Sequence, residues 1–317
     1  MEETRVPVYL ITGFLESGKT SFLSFTLQQD YFQIDGKTLL ILCEEGEEEY
    51  DEEALKQCNT VVEIIDSEEE LTPERLAAME ILHQPERVII EYNGMWLVSK
   101  FEEMEKPEGW GVEQHITCVD ASTFQVYMAN MKSLFMDMVR NADMVIFNRC
   151  QENDPLPSYR RSIKVVNQRA EIIFEDEEGE LGDIFQDEMP FDMNAPVIEI
   201  LPEDYGIWFV DAMDHPENYE GKTVKFKARV MKPRGMGSKF FVPGRTAMTC
   251  CADDTTFLGY VCKSAYAPKL TPGEWVEVTA KVGIEKRNEY QGEEGIVLDA
   301  EHVEQCDPLE DEMVYFN

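Results

Sequence analysis

Residues 13–21 read GFLESGKTS, between an apolar run, VPVYLIT (6–12), and a segment of helical spacing, SFLSFTLQQ. That segment offers Phe22, Leu23 and Leu27 to one face. The pattern G-x-x-x-x-G-K-[ST] constrains the fold more than any other feature of the chain. Such a loop works only where its backbone N–H groups converge on phosphate oxygens in front of a helix N-terminus, which demands a strand before it and a helix after. Gly13 and Gly18 supply the backbone freedom, and Glu16, Ser17 and Ser21 complete the loop. Lys19 is expected to reach the β- and γ-phosphates and the Thr20 hydroxyl to ligate Mg²⁺.

The next 160 or so residues supply the context. TLLIL (38–42), VVEII (61–65), RVIIE (87–91), ITCVD (116–120) and MVIFN (144–148) read as buried strands. Helical stretches separate them. One is TPERLAAMEIL (72–82), where Thr72 suits the cap and Pro73 the first turn. Another is STFQVYMANMKSLFMDMVR (122–140). This alternation predicts an α/β domain over residues 1–175, a mostly parallel sheet covered by helices on both faces.

The rhythm changes near residue 175. The acidic stretch EDEEGELGDIFQDE, followed by Pro190, Pro196 and Pro202, reads as a linker over 176–200. Beyond it, 201–317 reads as all-β. TVKFKARVM (223–231) alternates, with Val224, Phe226, Ala228 and Val230 on one face and Lys225, Lys227 and Arg229 on the other. WVEVTAKVGI (275–284) does likewise, and EGIVLDAEHVEQ supplies a last strand. Short strands with PGE and NEYQGEEG turns predict a small barrel of the oligonucleotide/oligosaccharide-binding (OB) type.

The formal net charge of −36 argues against nucleic acid and anionic membranes as partners, because both repel the chain as a whole. Residues 221–250 are the exception, with eight Lys or Arg and no Asp or Glu. The alternating strand explains them as a solvated face, and an acidic surface is the expected partner rather than nucleic acid. No run approaches the roughly 18 apolar residues of a membrane span. The start enters the loop strand almost at once, so a cytoplasmic protein without a signal peptide or direct membrane insertion is expected. Eight cysteines in 317 residues do not make a disulfide scaffold; they read as buried apolar residues or as metal or redox groups.

YLITGFLESGKTSFL resembles the opening of the CobW (G3E) family of P-loop GTPases, many of them metallochaperones, whose loop usually reads G-F-L-G-x-G-K-T-T. CEEGEEEYD (43–51) is similar to the family's switch I segment N-E-F-G-E-x-x-x-D, with Glu44, Gly46, Glu47 and Asp51 in register. RVIIEYNG ends with Glu91 and Gly94 in the places of the switch II segment E-T-T-G. ITCVDASTF (116–124), ADMVIFNRCQ (142–151) and VVNQRAEII (165–173) stand where the V-D-A strand end, the base-reading N-K-x-D and the closing L-N-P-x-A-x-I belong. The resemblance implies Mg²⁺ held by Thr20, Asp51 and Glu91, with Lys19 and Glu91 as catalytic residues. It implies a phosphate-sensing Gly94 N–H and a base approached by Asn148, Arg149 and Gln151. Glu45, Glu48, Glu49, Glu52 and Glu53 read instead as a solvated surface run.

Three departures qualify what the family implies. Its C-x-C-C metal motif is missing, with only Cys43 and Cys58 in the corresponding region. Gln151 replaces the base-reading Asp, whose two oxygens accept from both guanine N–H groups. A Gln amide complements adenine's acceptor–donor edge instead. GTP follows from the resemblance, ATP stays open, and Asp154 is a substitute acceptor if the loop is rebuilt. Tyr92 and Asn93 replace the two threonines of switch II, which bears on hydrolysis more than on binding.

In the second half, GRTAMTCCADDTTFLGYVCK (244–263), WVEVTA (275–280) and the terminal DPLEDEMVYFN resemble the C-terminal module of bacterial proteins associated with putative permeases. Cys250, Cys251 and Cys262 are a candidate thiolate site for Zn²⁺, with Asp253 as a fourth ligand. Adjacent strand residues point to opposite faces, so only a bulge brings both neighbouring sulfurs to one ion. Two functions follow. One is a Mg-dependent nucleoside-triphosphatase serving metal handling or a permease-linked process, with a metal-receiving client. The other is a non-hydrolysing, nucleotide-dependent adaptor for a permease subunit.

Overall fold

In the computed structural model, residues 6–182, 189–251 and 254–315 are described, apart from the side chains of Cys250 and Cys251. The chain divides into two compact units, one of residues 1–156 and 167–184, the other of 157–166 and 185–317.

The first unit is built on a parallel sheet. Its strands are β1 (Val6–Thr12), β2 (Thr38–Leu42), β3 (Thr60–Ile64), β4 (Arg87–Glu91), β5 (Trp110–Asp120), β6 (Met144–Asn148) and β7 (Glu171–Phe174), in the order β3-β2-β4-β1-β5-β6-β7. Every pairing is parallel. The connecting helices are α1 (Lys19–Leu27), α2 (Glu52–Gln57), α3 (Pro73–His83), α4 (Val98–Glu103), α5 (Ala121–Asn130) and α6 (Lys132–Val139). The central strands are apolar on both faces because both are covered. Leu39, Leu40 and Ile41 of β2 and Val88, Ile89 and Ile90 of β4 are fully buried. On one face Leu23 and Leu27 of α1 and Leu55 of α2 pack with Ile11, Leu40, Ile89 and Ile116. Thr72 caps α3 by accepting from Arg75 N at 3.2 Å, with Pro73 in the first turn as expected.

Two expectations for this unit change. VVEII is the sheet's edge, so Val62 and Ile64 stay 38% and 44% exposed rather than buried. The helix expected over 122–140 is two helices, broken at Met131 (φ −134°) without a glycine or proline to mark the break.

The second unit contains α7 (Leu156–Lys164) apart from its first residue, then β8 (Ile198–Glu199), α8 (Tyr205–Asp214) and β9 (Thr223–Met231). The remaining strands are β10 (Phe240–Cys251), β11 (Asp254–Gly259), β12 (Val261–Lys263), β13 (Trp275–Lys286), β14 (Glu294–Gln305) and β15 (Met313–Val314). Pairings run β9–β10–β12–β14–β13 and back to β9, closing a five-stranded ring in which β12 and β14 are parallel. The alternation read in β9 holds, with Val224, Phe226, Ala228 and Val230 all inside. Lys225 pairs with Glu277 on β13 at 3.0 Å, so part of the basic island is neutralised by its neighbour strand.

The second half is built on β-structure as expected, and to it the structure adds a helix, α8. Its sequence, YGIWFVDAMD, is apolar nearly all round, so it carries no 3.6-residue stripe to distinguish it from a strand. The helix is buried instead of amphipathic. Trp208 lies 4.8 Å from the Phe226 ring, and the Tyr219 hydroxyl donates to Asp211 Oδ2 at 2.6 Å.

Candidate functional site

The phosphate loop leaves the carboxyl end of β1, and four neighbouring strands end beside it. Cys43 follows β2, Glu91 ends β4, Asp120 ends β5 and Asn148 ends β6. In an open α/β sheet this edge is where ligands bind, at the point where successive connections diverge. Here β1 connects toward β2 on one side, while β5 lies on its other.

The loop is packed against those strand ends so closely that two of its glycines are obligatory. Gly13 has φ 139°, and a Cβ there would collide with the Cys118 carbonyl oxygen on β5. Gly18 has φ 91°, and a Cβ there would stand 2.7 Å from Asn148 Nδ2. That amide donates to the Ser17 carbonyl at 2.8 Å, tying β6 to the loop. Arg149, itself at φ 56°, donates to the Glu16 carbonyl at 2.9 Å and pairs with Asp120, the N-cap of α5. Asn148 and Arg149 thus hold the loop's outer wall. Ser17 Oγ, a donor and acceptor, and Asn148 Oδ1, an acceptor, are buried without a hydrogen-bond partner among the described residues.

Lys19 is 4% exposed. Its ammonium donates to the Gly13 and Phe14 carbonyls at 3.0 Å each and to Glu44 Oε2 at 2.7 Å. Next to it the Thr20 hydroxyl donates to Glu91 Oε1 at 2.8 Å, and the Tyr50 hydroxyl donates to Glu91 Oε2. Burial pushes the Glu91 carboxyl above its usual range, opposed by the bonds from Tyr50 and Thr20 and by the Lys19 charge. Burial and the Glu91 charge push the Tyr50 hydroxyl upward, keeping it a donor. The thiols of Cys43 and Cys118 are both raised to about 12, chiefly by burial, so neither is a thiolate.

A hydroxyl and a carboxylate side by side are hard oxygen donors of the kind Mg²⁺ prefers, and Thr20 with Glu91 fits that ion. Asp51 follows Tyr50 and is engaged at the start of α2. Its carboxylate caps α2, accepting from Glu53 N at 2.7 Å and Ala54 N at 3.3 Å. Gly94 packs against the loop: a Cβ there would lie 2.6 Å from the Gly13 carbonyl oxygen. Tyr92 is 2% exposed, donates to the Leu97 carbonyl at 3.0 Å and packs on Trp96 and Phe101. The Asn93 amide donates to the Cys43 carbonyl at 3.0 Å.

Gln151 is exposed, and its backbone N–H donates to Asp154 Oδ2 at 2.8 Å, so Asp154 is used to shape the base-side loop. Ser21 donates to Glu48, an acid read from sequence as bare surface. Cys262 lies in the core of the second unit with its thiol raised by burial. The side chains of Cys250 and Cys251, and Asp253 altogether, lie outside what is described. Among the described residues no group of three or more His, Cys, Asp or Glu is arranged to hold a metal ion.

Sequence reasoning missed two contributors, Glu44 as the partner of Lys19 and Tyr50 as the partner of Glu91. A signal for Tyr50 was present, since it is the one aromatic residue in the acidic run 44–53.

Residues 180–316 match the DUF1980 C-terminal domain, and residues 7–174 match the CobW/HypB/UreG nucleotide-binding domain. Among solved structures, the Zn(II)-bound YjiA GTPase from E. coli is 19% identical at a TM-score of 0.43, over 73% of this chain and 74% of that one. The hydrogenase maturation factor HypB from Archaeoglobus fulgidus is 17% identical at 0.41, over 55% and 83%. The S. cerevisiae mitochondrial single-stranded DNA binding protein Rim1 is 10% identical at 0.18, over 27% and 95%. No curated protein matches the chain. Because the match over residues 7–174 spans more than half of its length, the chain belongs to the CobW/HypB/UreG nucleotide-binding family.

Proposed function

We propose that the protein is a cytoplasmic enzyme that binds a Mg²⁺-complexed nucleoside triphosphate, GTP by preference, and hydrolyses its β–γ phosphoanhydride in the service of metal handling. The observation that carries this reading is the buried Lys19 ammonium at the loop, 2.7 Å from a carboxylate oxygen, beside the Thr20–Glu91 pair. An ammonium already seated on a carboxylate in the first turn of a helix is suited to a phosphate. When bound, Mg²⁺ neutralises charge on the phosphate oxygens. The chain's own part is to orient: Lys19 supplies a fixed positive charge, Thr20 and Glu91 supply oxygen donors, and Asn148 and Arg149 keep the loop in shape.

The second domain is proposed as an OB-type barrel that docks a metal-receiving client or a permease subunit. Zinc at Cys250, Cys251 and Cys262 belongs to the same reading. It requires Cys262, held protonated by burial, to give up its proton to the metal. Zinc measured in reduced full-length protein, compared with a Cys250→Ser, Cys251→Ser variant, tests it; equal zinc in both rules the site out.

The decisive experiment is phosphate release from GTP and from ATP, with Lys19→Ala as control. Turnover that Lys19→Ala abolishes supports the enzyme. Binding without turnover favours the adaptor reading, which the switch II side chains support. Tyr92 is packed away and the Asn93 amide is spent on the Cys43 carbonyl, so neither is placed to orient water.

A further inference from the structure

The side chains that a nucleotide would use are already engaged, and the segment that engages them is the acidic run after β2. The Lys19 ammonium has three protons, and Gly13 O, Phe14 O and Glu44 Oε2 take all three. The Glu44 carboxylate is itself only 11% exposed, so this is an enclosed ion pair rather than a surface contact. Ser21 donates to Glu48. Thr20 donates to Glu91, whose other oxygen is held by Tyr50. Residues 44–50 therefore reach Lys19, Ser21 and the Thr20–Glu91 pair together.

Glu16 fastens this segment from the opposite side. It holds φ 61°, a left-handed conformation that costs an L residue energy and calls for compensation. Its Oε1 accepts the Glu47 N–H at 2.9 Å and lies 3.0 Å from where a Cβ on Gly46 would stand. The cavity left between the loop, Glu44, Gly46, Glu48 and Glu91 is about 20 Å³. That is room for about one water and not for a phosphate chain.

We propose that residues 44–50 form an autoinhibitory latch, with the Glu44 carboxylate seated on Lys19 where a nucleotide phosphate would sit and Glu16 clasping the latch at Glu47. This rests on the nucleotide-binding reading of the loop and adds its regulation. Nucleotide binds only the open form, so its apparent affinity is reduced by the fraction of molecules that are open. The acidic side chains of the latch also repel a triphosphate, so entry and release both require the segment to swing away. The closed form is thus one in which Glu44 neutralises the lysine.

The test titrates full-length wild type, Glu44→Ala and Glu16→Gly with Mg·GTP, Mg·ATP and inorganic tripolyphosphate, after thermal melts show that each is folded. Glu16→Gly restores a residue at ease at φ 61° and removes the clasp without touching Lys19 or Glu44. The latch predicts affinity tighter than wild type by tenfold or more in both variants. It also predicts that saturating Mg-nucleotide speeds hydrogen exchange at the Glu47 amide, which loses its Glu16 partner. Wild type and Glu16→Gly binding nucleotide equally tightly would overturn the latch and leave the nucleotide site standing. No binding by any of the three proteins at millimolar ligand would sink the nucleotide reading and the latch with it.

Discussion

The Thr20 hydroxyl donates to Glu91 Oε1 at 2.8 Å, linking the first turn of α1 to the carboxyl end of β4 across 71 positions of sequence. A carboxylate that is buried and pushed toward neutrality is costly to the fold unless something cationic repays it. Bound Mg²⁺ would do so, and Glu91→Gln separates that role from mere packing. The variant is expected to bind nucleotide about tenfold or more weakly in Mg²⁺, a loss of at least about 1.4 kcal/mol. It should match wild type in EDTA. Paired calorimetric titrations read both numbers, and equal losses in the two buffers would refute the metal role.

Gly94→Ala tests the fit of switch II against the loop. The added methyl would stand 2.6 Å from the Gly13 carbonyl oxygen and 2.7 Å from Phe14 Cα, both backbone atoms that move only with the loop. Overpacking of this kind costs about 1–3 kcal/mol. Lowered stability in urea with weakened nucleotide binding is expected, and an unchanged midpoint would contradict the close approach.

Gln151→Asp addresses base selection. Asp154 accepts the Gln151 N–H through Oδ2, which ties its carboxylate to the shape of this loop. The wild-type preference for GTP over ATP is expected below about 10³, roughly 4 kcal/mol, and the substitution should raise it. Competitive displacement of a labelled nucleotide measures the ratio. A wild-type value above that bound would mean guanine is read by other groups.

His115 makes a pH-dependent contribution. On β5 it is 2% exposed and shares a 3.1 Å bond with Thr12 Oγ1, and burial lowers its pKa from 6.5 to about 4. Above pH 6.5 both folded and unfolded forms are neutral and nothing is lost. As pH falls from 6.5 to 4 the unfolded chain binds the proton first, so the folded state loses up to about 3 kcal/mol; below 4 the loss is complete. The stability of His115→Gln relative to wild type should therefore improve steadily over that window. Parallel pH profiles for the two proteins would exclude the titration.

Several elements were legible because their signals are local. Thr72-Pro73 starts α3, alternation buries Val224, Phe226, Ala228 and Val230 on one face of β9, and apolar runs mark β1, β2 and β4. Others were not. The run WFV in α8 satisfies strand and buried-helix patterns equally, and only its packing with Phe226 and Tyr260 decides between them. The same holds for VVEII, whose composition suits a covered strand although it closes the sheet's edge.

The sequence by itself determined the phosphate loop, its glycines and its place between strand and helix, because spacing and backbone freedom are properties of neighbouring residues. It could not say what the loop's lysine touches. Glu44 lies 25 residues from Lys19, Tyr50 lies 41 from Glu91 and Glu47 lies 31 from Glu16. Those distances in sequence close only when β1, β2 and β4 lie side by side and bring their carboxyl ends to one edge. An acidic run carries no mark of which of its members will be drawn inside. The parallel register made that choice, setting one carboxylate on the lysine and leaving its neighbours in water.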